Sequence, residues 1–253
     1  MRLIDSHCHI DFEQFEPDRA EVLSRCTQHH IDKIIVPSVT AKTWPHLLDI
    51  CLQSEQLFPA LGLHPLFMAQ HQAQDIPLLR DYIDTYQPVA VGEIGLDFYI
   101  PGHDKPSQIA LFEQQLKVAA DHHLPVILHV RKAHDQVLLL LRKYSLKGGI
   151  VHAFNGSLQQ AHLYIQLGFL LGVGGAISYD RATRLRTLFT ELPLSALVLE
   201  TDAPDMPLQG QDKTRNSPEF IPYILTALAV LRAESTDVIA DATTDNVQTL
   251  LAI

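Results

Sequence analysis

The chain has 253 residues, with 47% apolar and 19% charged side chains and a formal net charge of −10. That length admits one large domain or two small ones, and the composition excludes a disordered chain. The negative balance excludes a protein that coats duplex nucleic acid through a global positive field, but not an enzyme that handles phosphate locally through bound cations.

The first residues, Met1-Arg2-Leu3-Ile4-Asp5, lack the long apolar core of a secretory signal. The longest mostly apolar window, 167–177, holds four glycines and is too short to span a bilayer. Cys8, Cys26 and Cys51 are odd in number and have no CxxC spacing. The expectation is therefore a cytoplasmic protein in a reducing setting, with no disulfide framework and no membrane contact.

In chain order, short β-branched or continuously apolar runs stand at 3–5, 33–39, 58–63, 89–94, 126–130, 149–153, 169–173 and 197–201. Such runs suit parallel strands buried on both faces. Amphipathic stretches lie between them. Residues 18–29 follow Pro17, and 107–123 carry Ile109, Phe112, Leu116, Ala119 and Ala120 at helical spacing. Residues 158–167 end at Gly168, suited to a helix C-cap, and 218–232 and 236–251 close the chain. Eight strand signals alternating with helix signals predict one (β/α)₈ barrel over 1–253. A doubly wound open sheet fits less well, because His7-Cys8-His9 stands where a glycine-rich phosphate loop would follow the first strand. Two longer polar, Pro- and Gly-containing loops, 97–106 and 203–218, follow strands, on the side where barrel active sites are built.

The strand ends carry the chemistry. His7 and His9 are two apart, so on an extended chain they project together while Cys8 faces the packing side. His64 follows the third strand, Glu93 lies in the fourth, His129 ends the fifth, His152 the sixth, and Glu200 and Asp202 the eighth. A lone histidine after an apolar run is usually an ordinary hydrogen-bonded residue, and Glu200 with Asp202 could cap a helix or pair with arginine. Glu93 is different, because a carboxylate inside an apolar strand needs a cation, a metal or a proton. Metal-capable side chains at the ends of six of eight predicted strands would converge on one barrel mouth.

Asp5-Ser6-His7-Cys8-His9, Gly62-Leu63-His64-Pro65, Gly92-Glu93-Ile94-Gly95-Leu96-Asp97, His129-Val130-Arg131, His152-Ala153-Phe154-Asn155-Gly156-Ser157 and Glu200-Thr201-Asp202-Ala203-Pro204 resemble, in order, the motifs of the TatD-type metal-dependent hydrolases. That family belongs to the amidohydrolase superfamily, and the likeness is greatest to its YjjV branch. The resemblance implies a barrel with two divalent ions. His7, His9, Glu93 and Asp202 would hold one, and Glu93, His129 and His152 the other, with Glu93 bridging. Imidazole and carboxylate donors suit zinc or manganese, with magnesium also in view, and do not by themselves choose among them.

The same resemblance implies hydrolysis of a phosphodiester by a hydroxide bridging the ions, in the manner of a 3′-to-5′ exonuclease on single-stranded DNA. Asp202 would take the proton of the water, and His64 and Arg131 would contact substrate oxygens. Glu200 would orient a ligand or His64 from behind. For Arg131 a salt bridge at a helix start is an equal reading, and Asn155 is similarly open between substrate contact and structure. Ala153-Phe154-Asn155 departs from the family's common Cys-Phe-Thr or Cys-Phe-Ser, and the segment around Asp205 lacks a common aromatic, which bears on substrate preference. Hydrolysis of a small cyclic amide, lactone or ester by the same ions is the alternative, and a non-catalytic metal-binding scaffold a third. Tyr99, Phe154 and Tyr179 could stack bases or simply pack. Nothing resembles an assembly arm, so a monomer without an obligate protein partner is expected.

Overall fold

In the computed structural model the eight strands form one parallel sheet in sequential order. The structure describes residues 2–99, 102, 104–211 and 215–253. Parts of the two longer loops named above, residues 100, 101, 103 and 212–214, therefore lie outside the described residues.

The strands are β1 (Leu3–Asp5), β2 (Ile31–Pro37), β3 (Leu57–Leu61), β4 (Ala90–Asp97), β5 (Val126–Arg131), β6 (Gly149–Val151), β7 (Phe169–Val173) and β8 (Leu197–Leu199). The intervening helices are α1 (Arg19–Gln28), α2 (Trp44–Cys51), α3 (Asp75–Tyr86), α4 (Lys105–Asp121), α5 (His134–Leu141), α6 (Leu158–Gln166), α7 (Thr183–Glu191), α8 (Ile221–Arg232) and α9 (Thr236–Leu251). Helix ends follow local chemistry. Ser157 and Gln160 form a reciprocal capping box before α6, and Gly168 takes φ +81° just after it. Asp104 caps α4 and Ser235 caps α9.

Helices α2, α3, α5 and α7 fall between the strand signals where the sequence pattern sets no bounds. In α2 and α5, eight-residue runs such as Trp44–Cys51 are mostly buried, and a short apolar run reads equally well as a strand. Strand ends also shift. Strand β4 continues past Ile94 because Gly95, Leu96 and Asp97 keep pairing with His129, Val130 and Arg131. Gly95 permits this close approach: its φ is +145°, and a Cβ there would stand 2.0 Å from the His129 carbonyl oxygen.

Inside the barrel, Ile4, Ile35, Ala60, Ala90, Ile127, Ile150 and Val198 form one buried cluster with Val247 and Leu251 of α9. A larger cluster packs the outer faces of the strands against the helices. Each fully buried aliphatic side chain contributes about 1.5–3 kcal/mol, so the barrel is a filled core that holds the strand ends rigidly.

The edges β1 and β8 meet through a short seam. Ser6 N donates to Leu199 O at 2.9 Å, and Asp202 N donates to His7 O at 2.9 Å. Buried Asp5 accepts Thr201 N on Oδ1 at 3.0 Å and the Thr201 hydroxyl on Oδ2 at 2.5 Å. This seam sets His7 beside Asp202, although 195 positions separate them in sequence.

Candidate metal centre

All of the expected metal-capable residues meet at the C-terminal mouth of the barrel. Glu93 is the hub, 2% exposed, and its two oxygens face different groups. Oε2 lies 3.2 Å from His7 Nε2 and 3.5 Å from His9 Nε2. Oε1 lies 3.1 Å from His129 Nδ1, 3.2 Å from His64 Nε2 and 3.8 Å from His152 Nε2. Asp202 is split likewise: Oδ1 stands 3.6 and 3.7 Å from His7 and His9 Nε2, and Oδ2 stands 3.8 Å from His152 Nε2. Its backbone adopts φ +57°, an uncommon conformation that asparagine and aspartate tolerate better than most residues.

These spacings test whether a cation fits. Four donors held at about 2.0–2.1 Å around a tetrahedral ion stand roughly 3.3 Å apart. Five of the six separations among the His7, His9, Glu93 and Asp202 donors, from each imidazole Nε2 to the other and to both carboxylates, run from 3.2 to 3.7 Å. The donor set fits. The second group is looser: His129 and His152 both face Glu93 Oε1, and their ring centroids are 6.2 Å apart.

Supporting contacts fix which nitrogen His9 and His129 offer. His9 Nδ1 faces the Pro37 carbonyl oxygen at 3.1 Å and donates to it, turning Nε2 toward the centre. His129 Nε2 lies 2.9 Å from Asp97 Oδ2, so Nδ1 faces Glu93. Asp97 is fully buried, and its other oxygen accepts Tyr99 N at 2.9 Å. Its partnership with His129 was not read from the sequence; the signal was its place at the end of the Glu93 motif.

His64 is built differently. It groups in space with Glu93 and His129, yet its Nδ1 accepts the Leu66 backbone N–H at 3.1 Å. Burial lowers its pKa to about 4 despite the charge of Glu93, so the ring is neutral. A neutral imidazole with an occupied Nδ1 carries its proton on Nε2, and that atom points at Glu93 as a donor. His64 is thus arranged to donate a hydrogen bond rather than to ligate.

Glu200 lies behind His152. Its Oε1 accepts Ala153 N at 2.5 Å and stands 3.2 Å from His152 Nδ1. The approach to His152 is poorly aligned for a hydrogen bond, so charge dominates that attraction. Gly172 provides the room, since a Cβ there would lie 2.2 Å from Glu200 Oε2. This requirement, too, was not visible in the sequence.

Without a cation the carboxylates draw protons onto the imidazoles. Burial works against protonating His9, but the hydrogen bond and charge of Glu93 outweigh it and raise the ring to about 9. Burial is likewise overcome at His152, where Asp202 and Glu200 raise it to about 10. Burial raises Asp202 to about 6 against the pull of His152 and His9. Glu93 goes the other way: burial opposes its charge, yet His64 and His7 with hydrogen bonds from His129 and His64 hold it well below the carboxylate range.

A cavity of about 520 Å³ opens over this cluster. His64, Arg131 and Asn155 line it, with Phe12, Phe67, Phe154 and Met206 among the walls. The Arg131 guanidinium lies over the Tyr99 ring at 3.8 Å, and Lys132 Nζ stands 4.9 Å from the same ring. Asn155 Oδ1 turns back to His134, and Phe154 is buried packing. Tyr179, with Arg181 over its ring, lies outside this cavity in a neighbouring recess. Cys8 is fully buried in the core facing Ala203, and burial raises its thiol pKa far above the ordinary value, as expected of packing rather than ligation.

The likeness to known proteins covers the whole arrangement. The chain is 42% identical over 255 residues to the uncharacterized metal-dependent hydrolase YjjV of Escherichia coli (strain K12), spanning 100% of this chain and 98% of that one. The crystal structure of Escherichia coli YjjV, described as a TatD homolog, superposes with a TM-score of 0.96 over 100% of this chain and 98% of that chain. The 3′-5′ ssDNA/RNA exonuclease TatD of Rahnella sp. (strain Y9602) is 32% identical over 95% of this chain and 94% of its own length. The model of the TatD related DNase family matches residues 4–252, a span that takes in every residue of the cluster from His7 to Asp202, and this chain belongs to that family.

Proposed function

We propose that the chain is a divalent-metal-dependent phosphodiesterase that removes nucleotides from the 3′ end of single-stranded DNA. The division of Glu93 between two donor groups is the observation that carries this reading. His7, His9, Glu93 and Asp202 would hold one ion, and Glu93, His129 and His152 a second, as zinc, manganese or magnesium. Such ions, when bound, neutralise phosphoryl charge and lower the pKa of water.

The chain's own residues then have distinct tasks. His64 Nε2, which faces Glu93 Oε1 in the cation-free protein, would turn its proton to a substrate oxygen once a cation occupies that carboxylate. Asp202, with one carboxylate oxygen facing His152 and the other His7 and His9, accepts the proton of the attacking water at a carboxylate oxygen and passes it to the leaving group. Arg131, braced on Tyr99, offers paired donors to a phosphate, and Lys132 adds local positive charge in an acidic protein. Glu200 keeps His152 in place. The aromatic walls Phe12 and Phe67 give a base a surface to stack on. The relatives named as exonucleases on single strands support the substrate class.

The apolar walls also favour a second reading, hydrolysis of a small cyclic amide, lactone or ester. Turnover of a 3′-labelled single-stranded oligonucleotide by metal-stripped and reconstituted protein separates the two. Shortening from the 3′ end only with metal is expected; turnover of a lactone or cyclic amide with none of any oligonucleotide would overturn the phosphodiesterase. We read the protein as a monomer of a reducing, cytoplasmic compartment, in keeping with free and buried Cys8, Cys26 and Cys51. Among the described residues, no helix is long and apolar enough to cross a membrane.

A further inference from the structure

Behind the wall of the cavity a hydrogen-bonded chain runs from Tyr164 of α6 through His134, the first residue of α5, to Asn155 after β6. The Tyr164 hydroxyl lies 3.3 Å from His134 Nδ1, and His134 Nε2 lies 3.3 Å from Asn155 Oδ1. Tyr164 is fully buried and His134 nearly so, whereas Asn155 is exposed and lines the cavity.

Polarity follows from the donors available. Asn155 Oδ1 has no proton, so His134 Nε2 must carry one. Burial lowers the pKa of His134, leaving the ring neutral and Nδ1 bare, so Nδ1 takes the proton of the Tyr164 hydroxyl. The chain reads Tyr164 O–H to His134 Nδ1, then His134 Nε2–H to Asn155 Oδ1. With Oδ1 committed, the amide cannot flip, and its NH₂ is the end left for a ligand. Among the described residues, that NH₂ has no protein partner.

The surroundings are stiff enough for this to matter. The Asn155 and Gly156 carbonyl oxygens accept Arg184 at 2.7 and 2.8 Å. The Phe154 ring meets both His134 and Tyr164 edge to face, at centroid distances of 5.3 and 5.9 Å. Backbone and side chain of Asn155 are thus fixed independently.

We propose that His134 and Tyr164 are positioning residues that lock the Asn155 amide with its NH₂ toward the cavity, where it donates to an acceptor oxygen of the substrate. Given the reading above, that oxygen belongs to the phosphodiester. A neutral donor in the cavity that Arg131 also lines suits a phosphate oxygen and rejects a group that can only donate.

Two measurements on the full-length, metal-reconstituted protein test this. With a 3′-labelled single-stranded oligonucleotide, Asn155→Ala should raise KM about tenfold to a hundredfold, the effect of losing a hydrogen bond to a charged ligand. Tyr164→Phe, which removes only the hydroxyl, should raise KM about threefold to tenfold with kcat within about twofold. In an Asn155→Ala background Tyr164→Phe should change nothing further. Equal effects of Tyr164→Phe in both backgrounds would overturn the proposal. Independently of activity, nitrogen NMR of the wild type should show His134 protonated on Nε2 alone, with Nδ1-protonated ring appearing in Tyr164→Phe. An Nδ1-protonated His134 in the wild type would also overturn it. If the wild type turned over no oligonucleotide, the phosphodiesterase reading would fail, and the tautomer would still decide the orientation of Asn155.

Discussion

Glu200 occupies the space that residue 172 leaves by having no side chain: a Cβ at Gly172 would stand 2.2 Å from Glu200 Oε2 and 2.5 Å from Cδ. The carboxylate so placed holds the Ala153 N–H and faces His152 Nδ1. Gly172→Ala should push it aside. Loss of a group that orients a metal-binding imidazole costs about 10–100-fold in metal affinity, and that fall, read by metal titration of the stripped protein, is the expected result. Overpacking should also cost about 1–3 kcal/mol of stability, measurable by urea unfolding.

His64 and His129 both touch Glu93 Oε1, yet only His129 has its other nitrogen held by a carboxylate, Asp97, so that its Nδ1 can give up its proton to a cation, whereas His64 Nδ1 already accepts the Leu66 N–H. His64→Ala should therefore keep the metal content of the wild type while lowering kcat about 10²–10⁴-fold, the range of a lost catalytic donor. His129→Ala should lose metal. Elemental analysis of the two purified variants checks the distinction, and metal loss from His64→Ala would refute the donor assignment.

The proton balance makes a third prediction. At pH 7 the cation-free protein carries protons on His9 (about 9) and His152 (about 10). A cation must displace them, and His129, also raised against burial by Asp97 and Glu93, adds to the pool, so loading at pH 7 should release at least about two protons per chain, and release should fall as pH rises through 10. Calorimetry in buffers of different ionisation enthalpy measures this. Stability follows the same sign. Histidines whose folded pKa exceeds the unfolded value contribute most below pH 6.5 and lose that contribution as pH rises through 9 to 10. Asp5, raised to about 8 by burial, adds a loss between its ordinary 3.8 and 8. The thermal midpoint of the stripped protein should thus decline from pH 6.5 to 10, and bound metal should flatten the decline.

Asp5 also holds the barrel seam. Asp5→Ala would orphan the Thr201 N–H and hydroxyl and the His7 N–H, groups now satisfied at 3.0, 2.5 and 3.2 Å. A cost of about 2–4 kcal/mol is expected from buried groups left unpaired, with weaker metal binding because the same seam aligns His7 with Asp202. Asp5→Asn retains the Oδ1 acceptor and should cost less. Urea unfolding of both variants orders them.

Much of this architecture was legible in the chain itself. Parallel strands advertise themselves as apolar runs, and Glu93, His7 and His9 stand out because charged and imidazole groups interrupt them. What stayed hidden depends on pairing between distant segments. Asp5 meets Thr201 across 196 positions, Gly172 matters only because Glu200 swings under it, and Asp97 reaches His129 only because β4 runs on past Ile94. The nitrogen that His64 offers was equally out of reach, since it hangs on one backbone contact with Leu66. Spacing identifies donors; their tautomers and supports come from tertiary structure.

The most direct test of the account is an activity titration. Stripped protein receives increasing equivalents of manganese or zinc, and 3′-end shortening of a single-stranded oligonucleotide is followed. If Glu93 divides its carboxylate between two ions, activity should climb to a plateau at two equivalents per chain and be lost in Glu93→Gln. A plateau at one equivalent, or turnover that survives metal removal, would contradict it.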